Sequence, residues 1–182
     1  MNWEGNKEGL KSLRNEEARN VINKNKIKTG LTCFYTNMGS VFSYNKRDEL
    51  YMHKLEHKYD IVGLSETWAN DNTSHSELNI PGYRVYRKDR NNIFKSKGGG
   101  VAMYINKKLV SRHHEILPDT ECEAVWAKIS LSKNSHLIVE VCYRSPSYTT
   151  EENMQLTKVI ETAANNCALL FGDSNYRSID LR

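Results

Sequence analysis

Two short apolar runs in this chain stop abruptly at an acidic residue. The run in DIVGLSETW ends at Glu66, and the run in ALLFGDSNY ends at Asp173. A helical pattern precedes each run, so each run is expected to be a buried strand that presents its acid where it leaves a sheet. Enzymes that mix helices and strands collect polar groups at such strand ends, because the scaffold is rigid and the edge is open to a ligand. Two acids placed in this way suggest a divalent metal site.

The composition limits the kind of protein that can be expected. The chain has 182 residues, 38% of them hydrophobic, which is enough for the core of one domain. The net charge of +4 allows a polyanionic partner without requiring one. The four cysteines include no CxxC pair and stand in or beside apolar runs, which favours reduced thiols and an intracellular location. No apolar run reaches the length of a membrane span, so no membrane partner is expected.

The chain divides early into a polar leader and a folded domain. Residues 1–27 are dominated by Asn, Lys, Glu and Arg, and we predict a disordered or loosely helical leader there. From residue 28 the pattern becomes strand, helix, strand, with the sequences LTCFY, NKRDELYMHKLEHKY and IVGL. We therefore predict one domain over residues 28–182.

The first predicted helix has a start signal and an apolar face. Asn45 and Asp48 would lie at its first turn, where such residues favour helix initiation. Tyr51, Leu55 and Tyr59, spaced four residues apart, would form the face that packs on the sheet.

The middle of the chain is rich in strands and returns to a helix only near its end. The runs YRVYR, GVAMYI, EAVWAKISL and LIVEVCYR have no helix-length segment between them, so antiparallel pairing is predicted. In the later helix, Thr149 and Glu152 have the spacing of a capping box. Leu156, Ile160 and Ala163 would form its buried stripe. The predicted fold is an α/β protein with mixed sheets and outer helices.

Polar side chains follow the predicted strands in an order that suggests phosphoryl transfer. They are Asn37 after LTCFYT, Glu66 after IVGLS, Tyr143 with Arg144 after VEVC, and Asp173 with Asn175 after ALLFG. A hard cation such as Mg²⁺ prefers carboxylate and amide oxygens and retains several waters, usually with one or two protein carboxylates. Such a cation can bind a phosphate oxygen and offset developing negative charge.

These residues stand within motifs that match a known family. In order along residues 29–181, the motifs are YTNMGSVFSYNKRDEL, DIVGLSETW, GYRVYRKDR followed by GGGVAMYI, YRSP and FGDSNY. Together they resemble the endonuclease domain of non-LTR retrotransposons, of the endonuclease–reverse transcriptase type, within the endonuclease/exonuclease/phosphatase superfamily. The resemblance implies a four-layered α/β sandwich with two mixed β-sheets.

The resemblance also implies roles for the candidate residues. Glu66 would be the ligand of Mg²⁺, with Mn²⁺ as the alternative ion, and Asn37 would hydrogen-bond within the network of metal and acid. Asp173 would align or deprotonate the attacking water. Asn175 would hold the scissile phosphate or the acid in place, and Tyr143 would contact the phosphate.

The reaction implied by the resemblance is the hydrolytic nicking of one DNA strand, whose 3′-hydroxyl then primes reverse transcription. The partners would be DNA, a reverse transcriptase domain of the same polyprotein and the element's RNA, and the location would be nuclear. In the family, a further acid and an Asp-His pair complete the site, together with closing strands of the second sheet. These would follow Arg182, so the fold is expected to lack its C-terminal part and the fragment is expected to be inactive.

A basic stretch from Arg84 to residue 97 carries six cationic residues against one acid. We predict that Arg84, Arg87, Lys88 and Arg90 contact DNA phosphates, since non-specific affinity originates largely in such contacts. The alternative is a solvated hairpin without a ligand.

Each candidate also has a structural alternative. Glu66 could be a surface acid, Asp173 and Asn37 could be turn residues, and Tyr143 could serve only packing. The three glycines at 98–100 are interpreted as a flexible lead into the strand VAMYI and not as a phosphate loop, because no GK[ST] follows.

Two other functions compete with the nuclease. The first is a superfamily phosphoesterase that acts on inositol phosphates, sphingolipid or RNA. The second is a catalytically dead remnant that binds nucleic acid.

Overall fold

The computed structural model of the protein describes residues 30–43, 45–90, 98–115, 122–165 and 168–175. The described residues from Thr32 onward belong to one compact unit. The predicted leader over 1–27 lies outside the described residues, as do residues 91–97 of the basic stretch. Within these ranges, no helix is both long and apolar enough to cross a membrane.

The first sheet has four strands in the order β1-β2-β4-β3. Their bounds are β1 Cys33–Asn37, β2 Ile61–Ser65, β3 Tyr83–Lys88 and β4 Val101–Asn106. Strands β1 and β2 are parallel, whereas β4 pairs antiparallel with both β2 and β3. Five apolar or small residues in a row make β2 entirely buried, as expected for a central strand covered on both faces.

The second sheet also has four strands, in the order β5-β6-β7-β8. Their bounds are β5 Val110–His113, β6 Glu123–Ser130, β7 His136–Tyr143 and β8 Ala168–Asp173. Strands β5, β6 and β7 form an antiparallel meander, and β8 joins β7 in parallel. The predictions of two mixed sheets and of antiparallel pairing in the middle of the chain are therefore confirmed.

Two helices are described, α1 over Lys46–His57 and α2 over Thr150–Ala164. The predicted capping box of α2 is present, because the Glu152 amide donates to Thr149 Oγ1 at 3.2 Å and the Thr149 amide donates to the Glu152 carboxylate at 2.6 Å. Its buried stripe consists of Leu156, Val159 and Ala163, whereas the predicted Ile160 is only half-buried.

Helix α1 departs from its predicted face. It ends at His57, so Tyr59 lies beyond it, although Tyr59 still packs on the core. Among the side chains of α1 that the structure describes, Leu50 is buried, with Tyr51 partly buried beside it. Asn45 precedes the helix in the left-handed region, with φ of 70°, and its carbonyl accepts the Glu49 amide. The side chain of Leu55 lies outside the described residues.

The two sheets face each other and carry one helix on each outer face. Strand β2 contacts both β7 and β8, and a Cβ built on Gly63 would lie 3.0 Å from Val141 and 3.5 Å from Phe171. The other face of the first sheet packs against Leu50 of α1 and the segment over 69–80. The other face of the second sheet packs against α2 through Leu156. This is the predicted four-layer arrangement.

Strand β5 is the element that the sequence pattern did not indicate. It spans four residues, and three of them are exposed. A short edge strand with a polar sequence buries too little to show alternating hydrophobicity.

Candidate active site

Four strand ends meet at one edge of the sandwich. The parallel register pairs Asn37 at the end of β1 with Ser65 at the end of β2, so Glu66 follows directly. In the second sheet, Tyr143 at the end of β7 pairs with Asp173 at the end of β8. Because β1 contacts β8 and β2 contacts β7, the candidate residues of both sheets come together at this edge.

The Asp173 carboxylate is held by one N–H group on each oxygen. Asn37 Nδ2 donates to Oδ2 at 3.2 Å from the facing sheet, and the Asn175 amide donates to Oδ1 at 3.1 Å. Asn37 Oδ1 accepts the Gly39 amide at 3.1 Å, which fixes the orientation of the Asn37 side chain. Asp173 is half-buried and Asn37 is exposed, so the carboxylate is fixed in place and still reachable from solvent.

Asn175 stabilises the turn that follows Asp173. It adopts a φ of 46°, and its Nδ2 donates to the Arg144 carbonyl at 2.8 Å. The Arg144 amide in turn donates to the Asp173 carbonyl at 2.9 Å, and the Arg144 Nε donates to Asn153 Oδ1 at 2.6 Å on α2. The turns after β7 and β8 are therefore tied to each other and to α2. Asn175 reaches the acid through its backbone, and its side chain serves the scaffold.

Glu66 stands at the centre of a second network. Its Oε2 accepts the Trp68 indole N–H at 2.7 Å and the Gly99 amide at 2.7 Å, and its Oε1 accepts the Tyr143 hydroxyl. Glu66 and Trp68 both adopt positive φ, 53° and 59°. Such conformations are uncommon for residues other than glycine and persist where the surrounding structure fixes them, often at functional sites.

The electrostatics of this network keep Glu66 ionised and Tyr143 protonated. Burial acts to raise the pKa of Glu66, but the hydrogen bonds from Tyr143, Gly99 and Trp68 and the charge of Arg90 outweigh it, so the pKa is lowered. Burial raises the pKa of Tyr143, and its hydrogen bond to Glu66 raises it further. At neutral pH the network therefore presents one negative carboxylate and one neutral hydroxyl donor.

The three glycines before β4 form a defined part of the site. Gly98, Gly99 and Gly100 all have positive φ, between 77° and 91°. A Cβ on Gly99 would lie 2.2 Å from the Arg90 guanidinium, and one on Gly100 would lie 2.5 Å from Thr67 Oγ1. Since only glycine fits here, the interpretation of this segment as a flexible lead into the strand was incomplete, because it also supplies the Gly99 amide to Glu66.

Arg90 lies beneath this segment in an ion pair with Glu123. The Glu123 carboxylate also accepts the Gly100 amide at 3.0 Å, and the Arg90 guanidinium lies 6.0 Å from the centroid of the Tyr143 ring. Arg90 is thus bound within the protein and supports Tyr143 and the glycine segment.

The other residues of the predicted DNA-binding stretch differ in their exposure. Arg84 donates to Ser111 Oγ at 2.8 Å, and Arg87 lies 3.3 Å from the Asp89 carboxylate with its side chain only 15% exposed. Lys88 is exposed at the end of β3, near the catalytic edge. The prediction that these residues bind DNA stays a prediction. Of the four, Lys88 is the residue whose cationic group is best placed to contact a phosphate.

Tyr35 belongs to the site and was not among the predicted residues. Its hydroxyl bonds to Ser65 Oγ at 2.7 Å. Burial, followed by the charges of Asp173, Cys142 and Glu66, raises its pKa to about 12, while the Ser65 hydrogen bond acts the other way. Tyr35 therefore lies within electrostatic range of both candidate carboxylates. Strand alternation could have identified it, because it lies two residues before Asn37 on the same face.

The residues present fit a magnesium ion held by a single carboxylate. Across the described ranges, no three His, Cys, Asp or Glu residues cluster into a ready metal cage. Mg²⁺ does not need such a cage, because it retains waters and uses one or two carboxylates. The Glu66 carboxylate has about four acceptor positions, and its three hydrogen bonds leave one for a cation.

The fold consists of two facing mixed sheets, and the ends of their strands bring two carboxylates, two side-chain amides and a tyrosine together at one edge. Residues 36–180 match the model of the Endonuclease/Exonuclease/phosphatase family. The match covers most of the chain, and the protein belongs to this family. No curated protein matches the sequence.

Several solved structures share this fold. The endonuclease domain of TRAS1, a telomere-specific non-LTR retrotransposon, has a TM-score of 0.57 at 14% identity, over 82% of this chain and 61% of that one. The 3′ phosphatase NExo from Neisseria, bound to a product DNA hairpin, has a TM-score of 0.57 at 18% identity, over 83% and 60%. D. rerio TDP2, humanised by 14 mutations, has a TM-score of 0.57 at 15% identity, over 81% and 63%. This chain thus spans about three fifths of each of these structures.

Proposed function

We propose that this protein is the metal-dependent DNA endonuclease domain of a retroelement polyprotein, which hydrolyses one phosphodiester bond and so nicks one strand. The observation that carries the proposal is the meeting of the Asp173 and Glu66 networks at one edge of the sandwich, through Asn37 and Tyr143. Each network supplies a different part of what phosphodiester hydrolysis requires.

Asp173 orients the attacking water and accepts its proton. Its two oxygens are fixed by Asn37 and by the Asn175 amide, so the remaining lone pairs point in set directions. A fixed carboxylate aligns the water without a loss of orientational freedom at the moment of reaction. Asn37 and Asn175 therefore act as positioning residues for Asp173.

The Glu66 network receives the phosphate. Tyr143 keeps its proton and can turn its hydroxyl from Glu66 to a phosphate oxygen. Glu66 offers its remaining acceptor position to Mg²⁺, or to Mn²⁺ in its place. When bound, the ion supplies positive charge that offsets the charge developing on the phosphate. Lys88, at the same edge, contacts a neighbouring phosphate of the DNA.

The retroelement setting is supported by the structural likeness to the TRAS1 endonuclease domain. In this setting the partners are a DNA substrate, a reverse transcriptase domain and the element's RNA, and the location is nuclear. A second candidate is a phosphatase acting on DNA 3′ ends, which the likeness to the 3′ phosphatase NExo favours.

The experiment is a nicking assay on supercoiled plasmid with Mg²⁺, with EDTA and Mn²⁺ arms and a parallel assay on a 3′-phosphorylated duplex. The matched variants are Asp173→Asn and Asp71→Asn, which remove the same charge at the site and at an exposed position. With the domain in its full-length polyprotein, we expect nicking that requires metal, is lost in Asp173→Asn and is kept in Asp71→Asn. Release of phosphate without nicking would favour the 3′ phosphatase, and DNA binding without either reaction would contradict both enzymatic functions.

A further inference from the structure

The outer face of the second sheet carries a cluster of cations away from the catalytic edge. Strands β5 and β6 place Arg112 directly opposite Lys128, and His136 begins β7 on the same face. His114 follows β5, and its amide bonds to the carbonyl of Trp126 on β6. We call this surface the basic face and define it by Arg112, His114, Lys128 and His136.

Arg112 and Lys128 place two positive charges opposite each other on neighbouring strands, an arrangement that lowers the stability of the sheet. Cationic residues directly opposite each other on neighbouring strands are destabilising. The ion pairs of Arg87 with Asp89 and of Arg90 with Glu123 include no residue of the basic face. Glu140 of β7 lies on the same sheet face but is fully buried, and no hydrogen bond or ion pair joins it to these cations.

The electrostatic repulsion between the cations of the basic face acts on the pKa of His114. Burial lowers its pKa first, and the charges of Lys128, Arg112, His113 and His136 lower it further. The four cationic groups named here all oppose the protonation of His114. A bound polyanion would remove this repulsion.

The basic face contrasts with the stretch that the sequence indicated for DNA. Arg84, Arg87 and Arg90 make hydrogen bonds or ion pairs within the protein. Arg112 is exposed and Lys128 half-exposed, and both cations are unpaired among the described residues. Arg112 and Lys128 are therefore free to meet phosphates on a face that the sequence did not indicate.

The position of the basic face separates it from the scissile bond. Lys128 pairs with Ile138, five positions along β7 from Tyr143 at the catalytic edge. At about 3.3 Å per residue, the separation along the strands is about 17 Å. A phosphate contacting Lys128 is therefore not the phosphate that lies at Tyr143.

We propose that the basic face binds phosphates of the nucleic-acid backbone away from the scissile bond. The choice of nucleic acid as the polyanion rests on the proposed function. Each phosphate neutralised by Arg112 or Lys128 releases condensed counterions, which gives the interaction its salt dependence.

The test is the affinity for a fluorescein-labelled DNA duplex across salt concentrations, measured by anisotropy in EDTA so that no cleavage is needed. The test variant is Arg112→Ser with Lys128→Ser. The control is Lys107→Ser with Lys158→Ser, which removes the same charge from exposed positions on the β4–β5 turn and on α2. Circular dichroism verifies that both variants are folded.

We expect the test variant to bind more weakly and to lower the slope of log K against log salt by about two, since each phosphate contact contributes about 0.9. The control should keep the slope of the wild type. Equal slopes in all three proteins would overturn the proposal. A parallel arm uses fluorescein-labelled poly-glutamate as the probe. If the test variant loses poly-glutamate binding and keeps duplex binding, the face belongs to an acidic protein partner and the proposal is overturned as well. Because binding is read without catalysis, a full-length polyprotein that binds DNA but does not nick it would overturn the proposed nuclease and leave this inference standing.

Discussion

Replacing Glu140 by Gln tests the energetics of the second sheet. Glu140 lies in the middle of β7, is 0% exposed, and neither of its carboxylate oxygens has a hydrogen-bond partner. Burial raises its pKa to about 7, and the nearby Trp126 indole, which does not reach hydrogen-bond geometry, offsets only part of this effect. The charged form of Glu140 is therefore strongly disfavoured in the folded protein.

The size and sign of the effect follow from the pKa. A group whose pKa is higher in the folded state than in the unfolded state stabilises the fold when it is protonated. This stabilisation is complete at pH values below the unfolded-state pKa, and it is lost as the pH rises through the folded-state pKa. The pKa moves from 4.5 to about 7, and each unit corresponds to about 1.4 kcal/mol, so about 3 kcal/mol is lost between these pH values. Glutamine does not titrate, so Glu140→Gln should not suffer this loss.

Urea unfolding at pH 4.5 and pH 8 measures the difference. Relative to wild type, the free energy of unfolding of Glu140→Gln should rise by about 3 kcal/mol between these two pH values. The matched control is Glu151→Gln on the exposed face of α2, which should show no such change. A difference between Glu140→Gln and wild type that is the same at both pH values would refute the reasoning.

Three further changes probe the helix cap, the glycine segment and the metal ligand. Thr149→Ala removes the capping box of α2 and should lower the free energy of unfolding by about 1 kcal/mol, as measured in urea; an unchanged value would show that the cap is dispensable. Gly100→Ala should lower it by at least about 1 kcal/mol, because φ is 82° and the new methyl group meets Thr67, and equal stability would argue against this backbone conformation. Glu66→Gln should weaken Mg²⁺ binding in calorimetry by removing a charged oxygen ligand, and equal affinity would exclude Glu66 as the ligand.

The sequence predicted those strands and helices that show a recognisable pattern within a few neighbouring residues. Apolar runs that end in an acid placed Glu66 and Asp173 at strand ends, and the capping box located the start of α2 at Thr149. The prediction that both strands are buried is correct for β2 and wrong for β8, whose residues 169–173 are half-buried or exposed because β8 lies at the end of the strand order of its sheet. The antiparallel pairing in the middle of the chain followed from the absence of helix-length segments between its strands. The roles of Glu66 and Asp173 came from the motifs, and the structure adds the hydrogen bonds that join them to Tyr143 and Asn37.

The features that could not be predicted depend on contacts between distant segments. Whether Arg90 meets DNA or Glu123 depends on a residue 33 positions away, and a basic stretch looks the same in both cases. Strand β5 buries too few residues to show alternating hydrophobicity in the sequence. Because the strand was not predicted, the cross-strand pairing of Arg112 with Lys128 was not predicted either. The burial of Glu140 could not be predicted from its position in an apolar run. In a strand that is covered on one face only, a polar residue normally points to the solvent-exposed face, so the sequence gives no sign that Glu140 is buried.

The central claim is that the Asp173 and Glu66 networks act as one phosphodiester-hydrolysing site. The most direct measurement is the rate of Mg²⁺-dependent plasmid nicking by the full-length polyprotein as wild type, Asp173→Asn, Glu66→Gln and the double variant. Groups that act as a unit have strongly non-additive effects on rate. We therefore expect the double variant to be about as slow as the slower single variant. Losses that multiply in the double variant, or a single variant that nicks at the wild-type rate, would contradict the account.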